Sequence, residues 1–235
     1  MAKIHPEQRL TLAFVLLAAL AMNGCTNNSA TTQETGAIYW KIDNLASVGG
    51  QKPEVLGAPQ EENVGSGKAL VFNGSSDGLI LPVNPLAGWT QFTIEVLFNP
   101  AADGAEAQRF FHIEDTAERR ALLEIRLTKD AQWSLDTFLL DGPGNLTLND
   151  PAQLHPAGQW HWVALRYDGQ KMTSFVNGVQ QLEGSVAFGP MTAGQTSIGV
   201  RLNKVYWFKG AIREVRLTPG ALPAAQLQKP AAKNN

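Results

Sequence analysis

Between Ala37 and Pro219 the chain alternates short apolar or β-branched runs with clusters of Gly, Pro, Asn and Asp. The runs are AIYWKI, KALVFN, GLILP, FTIEVLF, RFFHI, ALLEIRL, WSLDTFLL, WHWVALRY, KMTSFV, TSIGVRL and WFKGAIREVRL. No stretch of helical period separates them. The pattern therefore predicts antiparallel strands joined by turns, since parallel strands would need crossover helices. Two hairpins are nearly explicit: Asp168-Gly169 links Trp160–Tyr167 to Lys171–Val176, and Asn177-Gly178 links that strand to Val179 onward. Both dipeptides favour the positive φ that tight hairpins require.

Side chains alternate across a strand, so parity assigns faces. One face takes Phe92, Ile94, Val96 and Phe98; Ala121, Leu123, Ile125 and Leu127; Val163, Leu165 and Tyr167; Met172 and Val176; Trp133–Leu140 reads in either parity, and the one that puts Trp133, Leu135 and Leu139 on this face turns Asp136 outward. These form the expected core. The opposite face carries Glu95, Glu124, Arg126, Asp136, Trp162, Arg166 and Phe175. Rings beside carboxylates and guanidinia suit sugar recognition, because C–H faces stack on rings while hydroxyls need fixed donors and acceptors. Cross-strand charged and aromatic pairs also stabilise a sheet without any ligand. A platform requires that face to be open, and Asp141–His155 is a segment long enough to fold over it.

Ahead of these strands lies a different pattern. After Lys3 and Arg9 comes an almost unbroken apolar run, Leu10–Met22, in which Thr11 is the one polar residue. As a helix it spans about 20 Å, short of the roughly 30 Å hydrocarbon core of a bilayer. It reads as the apolar region of a signal peptide, over residues 1–24. Residues 25–36 follow as a small, polar segment that cannot bury surface and reads as a tether.

Composition narrows the function classes. With 19 Lys+Arg against 21 Asp+Glu there is no basic surplus from which to build a nucleic-acid footprint. The single cysteine, Cys25, excludes an internal disulfide and a cysteine zinc site. The four histidines include no pair at i, i+2 or i, i+4, so a histidine-based zinc site is not expected. Calcium needs no linear motif, and Asp77 in Gly74-Ser75-Ser76-Asp77-Gly78 is a candidate donor or, alternatively, a turn-stabilising carboxylate.

Two resemblances add to this reading. Met22-Asn23-Gly24-Cys25 resembles a bacterial lipobox through Gly24 and Cys25, while Met22 and Asn23 depart from the usual residues. The resemblance implies lipidation of Cys25 and a membrane anchor without a spanning helix. Thr26 in place of Asp after the cysteine implies the outer membrane within the bacterial cell envelope. Lys68–Gly74 with Gly78–Pro82, Phe92–Glu95, Gln159–Gly169, Phe175–Gly178 and Phe208–Arg216 resemble, in order, the signature strands of bacterial laminin G-like domains of the concanavalin A-like lectin/glucanase superfamily. Trp162 stands where those domains often have His. The resemblance implies an all-β, two-sheet antiparallel jelly-roll β-sandwich over residues 37–222, with neighbouring chain ends and a brief closing turn at Pro223–Gln228 in a C-terminal tail, 223–235.

The glucanase branch of that superfamily places its carboxylates as E-x-D-x-x-E on one strand, and no Glu here has an Asp two residues later. The one G-x-S-x-G match, Gly74-Ser75-Ser76-Asp77-Gly78, is not expected to be a nucleophile elbow, because a sandwich lacks the strand-to-helix turn such an elbow needs. The expectation is a non-catalytic, lectin-like or adhesion module without a cofactor, engaging a glycan or an envelope protein. A calcium-stabilised scaffold and, less favoured, a glycoside hydrolase are the alternatives. The expected ligand surface is one concave face bearing Trp162, Phe175, Arg166, Arg126, Glu124, Glu95 and Asp136.

Overall fold

The computed structural model describes residues 36–65 and 67–230. The expected signal peptide, Cys25 and the tether through residue 35 lie outside the described residues. Those described form β1 (Ile38–Lys41), β2 (Glu54–Leu56), β3 (Gln60–Val64), β4 (Gly67–Asn73), β5 (Gly78–Leu81), β6 (Phe92–Pro100), β7 (Ala107–Asp115) and β8 (Arg120–Leu127). There follow β9 (Gln132–Asp141), β10 (Gly144–Asn149), β11 (His155–Pro156), β12 (His161–Tyr167), β13 (Lys171–Val176), β14 (Val179–Ser185), β15 (Gly194–Ile198) and β16 (Lys209–Pro219). A 3-10 turn at Ala224–Gln226 is the sole helical element among them. None of these residues forms a helix long and apolar enough to cross a membrane.

The strands make two antiparallel sheets. The first has the order β14-β13-β12-β6-β16-β4-β3, with β1 also paired to β16; the second has the order β10-β9-β8-β7-β15-β5-β2, with β11 beside β9. Pairing of Ile38 with Leu217 brings the two ends of the sandwich chain together, as the laminin G-like resemblance implies. The meander β12-β13-β14 forms as the hairpin dipeptides predict: φ is 94° at Gly169, and 52° and 76° at Asn177 and Gly178.

The core lies between the sheets and contains every residue that parity assigns to it, from Phe92, Ile94, Val96 and Phe98 on β6 to Met172 and Val176 on β13. Its centre is aromatic. Phe98 stacks on Phe110 at 4.5 Å and meets Trp133 edge-on at 5.1 Å. Each such pair contributes about 0.5–1.5 kcal/mol beyond area burial.

Two local expectations differ from the structure. The run TSIGVRL is not one strand: β15 stops at Ile198, and Gly199, at φ 79°, turns the chain into a loop. Asp141–His155 does not fold over a sheet but supplies β10 and β11 to the second one. One expectation is met at the end of the described chain, after Leu222. Residues 223–228 make the expected closing turn and lie across the first sheet, burying Leu227.

Candidate functional site

The seven outward residues expected on one concave face are divided between the two outer faces of the sandwich. Glu95, Trp162, Arg166 and Phe175 lie on β6, β12 and β13 of the first sheet; Glu124, Arg126 and Asp136 lie on β8 and β9 of the second. Parity is right for all seven, and the grouping is corrected. Parity fixes which side of its own sheet a residue occupies, and long-range pairing fixes which sheet that is.

The first-sheet quartet is not an open platform. Residues 220–228 form a strap over it, and Leu222 and Leu227 pack with Phe175 and Ala164 in a second, small apolar cluster. Phe175 is 1% exposed and Trp162 8%. Polar contacts fasten the strap. The Thr93 hydroxyl donates to the Gly220 carbonyl at 2.8 Å and accepts from the Leu222 amide at 3.0 Å. Arg166 donates to the Leu222 carbonyl at 3.3 Å. The Gln228 amide donates to Glu95 at 2.6 Å, and the other Glu95 oxygen lies 3.1 Å from Arg216. These contacts occupy the polar groups that a sugar would have used. What remains open beside Trp162 is a notch of about 140 Å³ bounded by Tyr39 and Gln228.

The second-sheet trio lies in a more open cavity of about 230 Å³, lined also by Arg109, Leu122, Phe138, Thr147 and Arg201. Glu124 and Asp136 are directly opposite one another on β8 and β9, so their carboxylates share one patch of sheet. Arg126 spans them, 2.6 Å from Asp136 and 3.5 Å from Glu124. Arg109, delivered by the neighbouring β7, approaches Glu124 at 2.9 Å. Burial, reinforced by the Asp136 charge, pushes the Glu124 carboxyl up to about 7 against the pull of the two arginines. Burial also raises Asp136, opposed by Arg126.

The loop between β15 and β16 contributes Arg201 to the lining of this cavity. Its ends are joined by the Phe208 amide donating to the Gly199 carbonyl at 2.8 Å. Lys204 and Tyr206 adopt left-handed conformations, φ 61° and 59°, which are costly for non-glycine residues and concentrate where a loop has work to do. The Tyr206 carbonyl accepts from the Arg109 amide at 2.9 Å, beside the bulge in β7 between Arg109 and Phe111. The result is a half-exposed ring stacked on the Arg109 guanidinium at 3.6 Å.

Arg201 lines this cavity and a neighbouring one of about 730 Å³ that also includes Glu114, Arg120, Gln195 and Asn203. The two cavities share Arg201, and together they are called the trough on the second sheet. His112 lies beneath the loop, wholly buried, its Nδ1 accepting from the Leu202 amide at 3.1 Å. Burial first, then the charges of Arg201, Arg120 and Arg109, push its pKa down to about 3. Glu114 lies 3.5 Å away but does not offset them.

Sequence reading missed Arg109, Arg201 and Tyr206. The signal for the last two was present: an aromatic residue in a polar stretch, RLNKVYWF, just after a strand-breaking glycine. The candidate calcium donor Asp77 is buried, and its carboxylate accepts from the Ala58 and Asn73 amides at 2.9 and 3.1 Å, the turn-stabilising alternative. Among the described residues no group of three or more His, Cys, Asp or Glu side chains is placed to hold a metal ion.

Comparison with known proteins agrees with the architecture. Residues 73–228 match the laminin G-like family of the concanavalin A-like lectin/glucanase superfamily, and the chain belongs to that superfamily. No curated protein sequence matches it. Among solved structures it is similar to domain 4 of AbnA, an extracellular arabinanase from Geobacillus stearothermophilus, in complex with arabinotriose. That match has 23% identity and a TM-score of 0.60, covering 80% of this chain and 94% of that one. It is also similar to the botulinum neurotoxin serotype D ligand-binding domain in complex with N-acetylneuraminic acid: 13% identity, TM-score 0.61, covering 81% of this chain and 49% of the other. The CBM40 of Ruminococcus gnavus IT-sialidase bound to alpha2,3 sialyllactose matches with 18% identity and a TM-score of 0.52, covering 72% of this chain and 96% of that one. At these identities the likeness concerns the fold.

Proposed function

We propose that the protein is a non-catalytic glycan-binding module, held at the bacterial cell envelope by a lipid on Cys25, whose ligand lies in the trough on the second sheet. The observation that carries the site is the Tyr206–Arg109 stack: a half-exposed ring fixed over an arginine that itself lines a cavity holding buried, charged side chains. A ring of this kind stacks on the C–H face of a sugar, while Arg126 and Thr147 meet its hydroxyls. Solved relatives of this fold in complex with arabinotriose and sialylated ligands support the ligand class.

The test is a glycan array probed with the purified protein, repeated with Tyr206→Ala. Retention of a defined set of glycans, lost in the variant at unchanged melting temperature, is the expected result. No retention, or retention indifferent to Tyr206, would refute the assignment. The anchor is tested separately. Cys25→Ser should abolish incorporation of labelled palmitate and release the protein from membranes.

One observation favours a second reading. Glu124, raised to about 7 and directly opposite Asp136, is a buried carboxyl pair of the sort glycosidases use. Against it, both carboxylates are engaged by arginines, which leaves neither free to reach a glycosidic oxygen. Hydrolysis of β-glucans, galactans or peptidoglycan, lost in Glu124→Gln, would decide for the enzyme.

A further inference from the structure

Cations and anions around the trough are not equally committed. Arg109 and Arg126 hold Glu124 and Asp136, and Arg120 lies 2.9 Å from Glu114. Asp115, at the far end, accepts from the Thr192 and Arg119 amides and also meets the Arg119 side chain. Every one of these carboxylates thus has a partner. Arg201 is different: its guanidinium makes no hydrogen bond or ion pair with any described residue, although its backbone is pinned in the loop, accepting from Lys204 at 2.8 Å. It is half-buried and lines both halves of the trough.

An arginine that is partly desolvated, held by a fixed backbone and left unpaired among neighbours that are all paired is a site prepared for an external anion. The planar fork of a guanidinium matches a carboxylate in a bidentate geometry. The same concentration of positive charge registers in His112, which Arg201 helps to keep neutral.

We infer that the trough selects saccharides bearing a carboxylate, a sialate or a uronate, with Arg201 binding the carboxylate while Tyr206 stacks on a neighbouring sugar ring. This inference rests on the glycan-binding reading above and deepens it. A neutral glycan would leave the Arg201 guanidinium without its match, and a sulfate ester, although it can also meet the fork through two oxygens, is a far weaker base than a carboxylate and accepts weaker hydrogen bonds.

Isothermal titration of the purified protein with 3′-sialyllactose, trigalacturonate, lactose and a sulfated lactose tests it, and the first two distinguish sialate from uronate. The expectation is that one of the two carboxylated ligands binds at least tenfold more tightly than both lactose and the sulfated sugar. Arg201→Ala should remove that preference, Arg201→Lys should restore part of it, and the melting temperature should stay unchanged in both. Equal or tighter binding of lactose or of the sulfated sugar would overturn the inference while leaving glycan binding intact. So would an Arg201→Ala protein that keeps the wild-type preference. If none of the four binds but the array retains other, uncharged glycans, the inference also fails alone. If the array retains none, it falls together with the proposed function.

Discussion

The two outer faces of this sandwich began from the same kind of sequence pattern, apolar residues inward and charged or aromatic ones outward, and reached opposite ends. On the first sheet, Glu95, Arg166 and Phe175 are covered by the chain's own residues 220–228. On the second, Glu124, Arg126 and Asp136 line a cavity to which the β15–β16 loop contributes Arg201. The contrast teaches that an outward aromatic is not by itself a binding platform. Phe175 has become a miniature core, whereas Tyr206 stays half exposed, held by a left-handed backbone over the Arg109 guanidinium.

That contrast is broken most severely at Phe175. Phe175→Ala empties a site sealed by Leu222 and Leu227, and should cost about 3–5 kcal/mol in urea denaturation. A cost under about 1 kcal/mol would mean that the strap is loose and the first face open. On the other face the largest effect belongs to Arg109→Leu, which leaves Glu124 buried with one fewer partner. Breaking a buried pair costs roughly 3–5 kcal/mol. Here Glu124 escapes part of that cost by taking a proton. A carboxyl whose folded pKa is raised from 4.5 to about 7 binds protons more readily folded than unfolded, so stability falls as pH rises through that window. Arg109→Leu raises the carboxyl further, so the variant should be destabilised more at pH 8 than at pH 5.5. Equal losses at the two pH values would show that Glu124 keeps its charge throughout.

His112 gives a smaller effect of opposite slope. Its pKa, lowered from 6.5 to about 3, means that the unfolded chain takes up a proton that the folded chain refuses. Stability is complete above pH 6.5 and declines as pH falls toward 3. His112→Gln, which keeps an acceptor for the Leu202 amide, should flatten the acid limb of a melting-temperature profile by about one proton's worth of slope. An unchanged limb would place the proton uptake on other groups. The smallest stability effect is at Tyr206: Tyr206→Ala should cost no more than about 1 kcal/mol, the scale of an exposed cation–π contact. A loss of 3 kcal/mol or more would make Tyr206 a packing residue and bring the two faces into line.

What the sequence determined by itself was local. Alternation along FTIEVLF and WHWVALRY set the inward residues of β6 and β12, and Asp168-Gly169 and Asn177-Gly178 set two hairpins, because side-chain parity and turn conformation depend on adjacent residues. The edge strand β3, sequence QEENV, was illegible because most of it is exposed and no apolar alternation marks it, and β10, sequence GNLTLN, was passed over because its alternation amounts to two leucines, Leu146 and Leu148, in a segment otherwise rich in Gly, Pro, Asn and Asp. The tertiary structure decided the rest. Glu95 and Glu124 look alike in sequence, each outward on an apolar strand. Pairing of β6 with β12 and β16, and of β8 with β7 and β9, sends them to opposite sides of the molecule. The Arg216–Glu95 contact joins residues 121 apart, and the strap that buries it comes from the chain's last described segment. Such contacts depend on which distant segments can bury apolar surface together, and local periodicity carries no record of that.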